Sequence, residues 1–121
     1  MTSKSPKSEA PAGKAPEIGL LISTCPPAAA EELAAKLVES RRAACVNIVD
    51  RVRSVYRWKG EIEKDDESLL IIKCPRGREE EVRDALIEAH PYDVPEVLIL
   101  PVSGGNAAYL EWVVRECGGD G

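Results

Sequence analysis

The 121 residues of this chain are enough for one domain with a substantial core and too few for two. Apolar residues make up 44% and charged residues 31%, as in soluble globular domains, and no apolar run approaches the roughly 18 residues of a membrane span. The formal net charge of -5 argues against a general nucleic-acid binder, because such proteins usually carry a basic excess.

The N-terminal stretch MTSKSPKSEAPAGKAP contains lysines but no apolar segment, so it does not resemble a secretory signal. Its Ser, Pro, Ala and Lys content cannot bury enough apolar surface to offset the entropy of ordering. We therefore predict a disordered tail at residues 1–16 and a single domain at residues 17–118. Without an export signal, the four cysteines are expected to be reduced thiols in a cytoplasmic protein, and their spacing contains no C-x-x-C pair.

The remaining sequence alternates between strand-like apolar runs and segments with helical periodicity. In the first helical segment, helical spacing groups Ala30, Leu33, Ala34, Leu37 and Val38, and Asn106 is the predicted N-cap of the last helix. In chain order, the predicted elements are a strand at 17–24, a helix at 26–42, strands at 43–58 and 61–74, a helix at 76–90, a strand at 95–102 and a helix at 106–117. This order predicts an α+β fold, a ferredoxin-like βαββαβ sandwich with an extended β-hairpin and a C-terminal helix.

The two strands that flank Lys59-Gly60 are unusually long, because a typical strand has about 5–6 residues. Their outer halves, RVRSVYRWKGEIEK, form a predicted two-stranded ribbon that is only marginally stable in water. We expect another subunit to cover the ribbon, and the predicted assembly residues are Tyr56, Trp58, Ile62 and Trp112. Strand alternation places Val52, Tyr56 and Trp58 on one ribbon face and Arg51, Arg53, Val55 and Arg57 on the other.

The ribbon arginines Arg51, Arg53 and Arg57 have two interpretations. Their guanidinium groups suit a phosphate or carboxylate ligand. Alternatively, they keep an edge ribbon in solution or pair with Glu61 and Glu63 on the partner strand. A three-residue loop would place Arg57 opposite Glu63 and a two-residue loop would not, so the sequence leaves this pairing open.

The segment HPYDVPE contains His90, the only histidine of the chain. Pro91 disfavours helical geometry at His90, so a helix must end there, and the segment then joins a helix to a strand. Imidazole is also a suitable ligand for copper and other divalent metals, which makes metal binding the second interpretation. The two roles are compatible.

Four segments, RRAACVNI, SVYRWKGEIE, HPYDVPEVLILPV and AAYLEWV, resemble the CutA family of divalent-cation tolerance proteins in their order and spacing. The resemblance covers residues 18–117 and implies a homotrimer with a ferredoxin-like fold, in which strands and hairpins pair between subunits. It also implies a role linked to copper and other divalent metals, with ligands at His90, Cys25 and Glu96. Some family members have the cysteine one or two positions earlier, where this chain has Ser23.

The implied ligands suit copper, because imidazole binds copper and thiolate binds Cu(I). Cys25 is at a predicted helix N-terminus, where the helix dipole and free amide groups favour the thiolate. We expect such a metal to be bound weakly and not to be required for folding.

The alternative function is a PII-like trimer that senses small anions in clefts between subunits. No catalytic motif accompanies the lone histidine, so we do not expect an enzyme. We expect a cytoplasmic homotrimer that binds neither nucleic acid nor membranes. A signalling partner is also expected, and the sequence does not identify it.

Overall fold

The computed structural model describes residues 16–118. Their helices and strands follow the predicted order, with the bounds β1 Ile18–Cys25, α1 Pro27–Glu39, β2 Cys45–Trp58, β3 Glu61–Pro75, α2 Glu79–Ala89, β4 Val97–Pro101 and α3 Ala107–Glu116. The predicted tail at residues 1–16 lies outside the described residues except for Pro16. The division into a tail and a domain at residues 17–118 therefore stays a prediction.

The four strands form one antiparallel sheet with the spatial order β2-β3-β1-β4. Strand β1 pairs with β3 on one side and with β4 on the other, which suits its continuous apolar run. This strand order, with two helices as crossovers, is that of a ferredoxin-like sandwich. The predicted α+β fold class is confirmed.

The main hydrophobic core lies between the sheet and helices α1 and α2. Leu21, Leu70 and Ile72 of the sheet are fully buried. The helices contribute apolar residues at helical spacing, namely Leu33 and Leu37 from α1 and Val82 and Leu86 from α2. Because these side chains occupy one sheet face, α1 and α2 form a single layer on that face.

Helix α3 contacts the end of the sheet where β1 begins, through a second apolar cluster of Ile18, Leu110 and Val113. The predicted N-cap is present, since the Asn106 side chain accepts the Ala108 N–H group at 3.0 Å. Trp112, a predicted assembly residue, packs on this cluster and stacks on Tyr109 with 5.6 Å between ring centroids. Part of the Trp112 surface is therefore used within its own subunit.

The second face of the sheet carries apolar side chains that alternate with the core residues and point away from α1 and α2. We call this surface the open sheet face; its central residues are Ile22, Val49, Leu69, Ile71 and Leu98. Leu98 is 53% exposed and Val49 is 42% exposed, whereas the other three are partly buried. An apolar surface of this extent is typical of an interaction surface.

The ribbon closes with a two-residue turn. Trp58 pairs with Glu61, and the turn residues Lys59 and Gly60 have φ angles of 51° and 83°, as a type I′ hairpin turn requires. The register therefore places Arg57 opposite Ile62 rather than opposite a glutamate. The two-residue turn settles the pairing that the sequence left open: Arg57 does not stand opposite Glu61 or Glu63, because both glutamates lie on the other face of the ribbon.

A β-bulge separates the ribbon from the body of the sheet. Asp50 and Arg51 of β2 together stand opposite Ser68 of β3, and Arg51 has a left-handed φ of 63°. Asp50 Oδ1 accepts the Ser68 hydroxyl at 3.0 Å. Arg51 therefore has no single cross-strand partner, whereas Arg53 and Arg57 follow the predicted alternation.

Candidate functional site

His90 ends helix α2, and both nitrogens of its ring are hydrogen-bonded. It is the C-cap residue, with an extended ψ of 140°. Nε2 lies 2.8 Å from the Thr24 carbonyl oxygen, and Nδ1 accepts the Tyr92 N–H group at 3.1 Å. Because a carbonyl oxygen only accepts, the proton of the neutral ring belongs on Nε2. His90 is 8% exposed and joins α2 to the end of β1.

The loop between His90 and β4 is attached to the ends of β1 and β3 by side chains. The Tyr92 hydroxyl donates to Glu67 Oε2 at 2.8 Å. The Ser23 hydroxyl donates to the Glu96 carbonyl oxygen at 2.7 Å, and the Thr24 hydroxyl donates to Glu96 Oε1 at 3.3 Å. These contacts hold the loop at the point where the ribbon leaves the sheet.

Sequence reasoning misses Glu67, which closes an acidic run on β3. It is only 6% exposed, and burial together with the hydrogen bond to Glu67 raises the pKa of Tyr92 above its usual range. The available signal is spacing, since Glu67 stands two positions before Leu69 and therefore on the open sheet face. A buried carboxylate needs such a donor.

We expect Tyr92→Phe to lower the free energy of unfolding by about 1–2 kcal/mol, because buried Glu67 loses a donor. Tyr56→Phe is the matched control, since its phenol bonds to Asp65 on the exposed ribbon, where water can replace the lost bond, and its effect should be much smaller. Urea unfolding at one protein concentration measures both, and equal effects would contradict the role of Glu67 burial.

The difference in the free energy of unfolding between the parent and Tyr92→Phe should also depend on pH. Because the pKa of Tyr92 is raised in the folded state, the neutral phenol is favoured there. Its contribution is fully present below the unfolded pKa of about 10 and is lost as the pH rises above it. The parent should therefore lose its advantage over Tyr92→Phe in alkaline solution.

The structure corrects the prediction that Cys25 has a favoured thiolate. Cys25 is fully buried at the end of β1, where strand alternation turns its side chain into the core beneath α1 and α2. Burial, and then the negative charge of Glu67, raise the pKa of the Cys25 thiol. Burial therefore opposes the thiolate that the position of Cys25 before α1 suggested.

Cys25 should therefore resist iodoacetamide in the folded protein and react only after unfolding. Peptide mapping by mass spectrometry, with the same reaction in denaturant as the control, measures the modified fraction at each cysteine. Rapid modification of Cys25 in the native protein would show that the thiol is accessible and restore it as a candidate ligand.

The three predicted metal ligands do not form a prepared site within the described part of the chain. Glu96 reaches the end of β1 through Thr24, and His90 bonds to the backbone there, but the Cys25 thiol faces the core. Across residues 16–118, no three His, Cys, Asp or Glu side chains are grouped to hold one metal ion. A copper ion bound by this set would have to displace existing hydrogen bonds.

The protein resembles known proteins along most of its length. Residues 19–116 match the family model described as CutA1 divalent ion tolerance protein. The chain is 43% identical over 89 residues to the divalent-cation tolerance protein CutA of Thermus thermophilus, which covers 74% of this chain and 86% of that protein. The chain belongs to the CutA1 divalent ion tolerance family. The human relative, Protein CutA, is 42% identical over 114 residues, or 93% of this chain.

Solved structures of the CutA1 family have the same fold. The crystal structure of CutA1 from Oryza sativa aligns with a TM-score of 0.81 and 39% identity, and covers 84% of this chain and 94% of that chain. The structure of CutA from Xylella fastidiosa aligns with a TM-score of 0.80 and 38% identity, and covers 83% of this chain and 97% of that chain. These matches support the α+β fold class.

CutA1 family members differ in length and in the location that their names give. The chain spans 64% of the human relative and 47% of the Arabidopsis thaliana relative, which is named chloroplastic. The Archaeoglobus fulgidus structure is named a periplasmic divalent cation tolerance protein. In residues 16–118, no helix is both long and apolar enough to cross a membrane.

Proposed function

We propose that the protein acts in divalent-cation tolerance as a homotrimer and has no catalytic activity. The observation that carries the assembly is the exposed apolar surface of the ribbon, where Val55, Trp58 and Ile62 are 65%, 46% and 56% exposed. Trp58 lies on the ribbon face that continues the open sheet face, whereas Val55 and Ile62 lie on the opposite face, so both faces of the ribbon offer apolar surface to partners. The cation-tolerance role is supported by the names of the relatives.

The copper site at His90, Cys25 and Glu96 stays a prediction, and its chemistry is demanding. The ring can bind a metal through Nδ1 only if it releases the Tyr92 N–H group. It can bind a metal through Nε2 only if this nitrogen loses the proton that it donates to the Thr24 carbonyl oxygen. We therefore propose that the protein binds the metal weakly and does not need it for folding. We also propose that the protein acts in the cytoplasm.

Two variants of His90 separate metal binding from the structural joint. His90→Gln retains an N–H donor for the Thr24 carbonyl oxygen, whereas His90→Ala leaves that buried acceptor unpaired. If His90 binds copper, both variants should lose Cu(II) uptake in native mass spectrometry, while His90→Gln melts closer to the parent. Equal copper uptake by parent and variants would eliminate the site. Subunit number in the same spectra tests the trimer.

A second candidate function, anion sensing, is favoured by one observation. Arg53, Arg57 and Lys64 share a ribbon face, and none of them forms an ion pair with another described residue. Guanidinium groups of this kind suit phosphate or carboxylate. Native mass spectra recorded with ATP would test it, and a bound species that Arg53→Ala/Arg57→Ala abolishes would support it over the cation role.

A further inference from the structure

The two faces of the ribbon differ in charge because the two-residue turn sorts the charged side chains. On one face, which we call the acidic face, four carboxylates follow each other at alternate positions of β3 beside two aromatic rings of β2. Its charged and aromatic members are Tyr56, Trp58, Glu61, Glu63, Asp65 and Glu67, and Val52 and Ser54 of β2 complete it. By alternation, no basic residue of the paired ribbon segments 52–58 and 61–67 lies on this face.

The opposite face of the ribbon, which we call the basic face, carries three cations and a single carboxylate. Its members are Arg53, Val55, Arg57, Ile62, Lys64 and Asp66. Val55 and Ile62 are more than half exposed and lie among the cations. The basic face therefore combines apolar surface with groups that bind carboxylates.

Two carboxylates of the acidic face already have donors within the subunit. Tyr56 donates to Asp65, and Tyr92 donates to Glu67. Glu61 and Glu63 accept no side-chain hydrogen bond from another described residue. They stand opposite Trp58 and Tyr56, so free carboxylates lie beside exposed rings, a combination that suits guanidinium groups.

We propose that the acidic face of one copy binds the basic face of a second copy, so that charge sets the head-to-tail direction of each contact between subunits. The inference rests on the proposed homo-oligomer and adds the chemistry and the polarity of its contact. The two faces lie on opposite sides of one ribbon, so a contact between like faces would oppose carboxylates to carboxylates or cations to cations. Contacts between unlike faces are head-to-tail, and such contacts form a ring when the rotation between subunits closes.

Charge reversal tests the contact on each face. Arg53→Glu/Arg57→Glu gives the basic face a net negative charge. Glu61→Arg/Glu63→Arg replaces the two carboxylates of the acidic face that have no donor with cations, while Asp65 and Glu67 stay bonded to tyrosines. Each variant alone should assemble at least about 100-fold more weakly than the parent in sedimentation at about 0.05 M salt, and the parent itself should weaken at higher salt. An equimolar mixture of the two variants should form mixed complexes in native mass spectrometry.

The quadruple variant R53E/R57E/E61R/E63R gives the sharpest test. The charges at the two arginine and the two unbonded glutamate positions are exchanged, so complementarity between these positions is restored within one sequence, and the variant should assemble with itself. It should not mix with the parent, because each contact between them opposes like charges. Recovery of assembly also shows that the double variants fold.

Lys36→Glu/Arg83→Glu provides the matched control, since it reverses two cations on the exposed surfaces of α1 and α2. This variant should assemble as the parent does. A parent that is monomeric would refute the proposed homo-oligomer itself. An oligomeric parent whose ribbon variants assemble as strongly as the control, or whose quadruple variant mixes freely with it, would overturn only the charge pairing.

Discussion

Trp58→Ala should separate the subunits while leaving the fold of each intact. The Trp58 ring is 46% exposed on the ribbon and belongs to neither core cluster of residues 16–118, so its loss costs little within one subunit. Aromatic residues at the centre of an interface often contribute about 2 kcal/mol or more, which corresponds to roughly 30-fold in the dissociation constant. Sedimentation velocity over a dilution series measures this change.

Ile87→Ala is the matched control for Trp58→Ala, because Ile87 is an apolar residue of similar exposure, 44%, on helix α2. It should leave the dissociation constant unchanged. If Trp58→Ala keeps the parent mass and melting temperature at every dilution, the ribbon is not an assembly element.

Leu70→Ala should have the largest effect on stability. Leu70 is fully buried between the sheet and the helix layer, and its truncation leaves a cavity in the main core. Such changes lower the free energy of unfolding by about 2–5 kcal/mol. The loss should be nearly independent of protein concentration once association is included in the fit.

Leu98→Ala removes the same atoms from the open sheet face, where the side chain is 53% exposed within one subunit. Its effect should appear as a weaker association and therefore grow on dilution. Chemical unfolding of both variants at two protein concentrations separates the cases. Equal and concentration-independent losses would mean that no partner covers the open sheet face.

The fold could be predicted from sequence because its signals are local. The apolar run before Cys25, the helical spacing of Leu33 and Leu37, and the prolines around the last strand each indicate an element by short-range chemistry. The order of these elements then leaves few arrangements. The N-cap at Asn106 was predictable for the same reason.

The candidate site was less predictable because it depends on register. The length of the turn at Lys59-Gly60 decides which face each charge of the ribbon occupies. The bulge at Asp50 and Arg51 then shifts the register between β2 and β3 by one residue. Cys25 illustrates a second limit. Its position next to a helix start suggests a reactive thiol, but burial in the core opposes ionisation.

The hydrogen-bonded ring of His90 has a spectroscopic consequence. We expect the His90 imidazole proton, which is shared with a buried backbone carbonyl, to exchange slowly with water and to give a resolved downfield signal in proton NMR. Because the sequence contains one histidine, this signal needs no assignment by mutagenesis. It offers a built-in probe of whether added metal, pH or dilution disturbs the junction of β1 and α2.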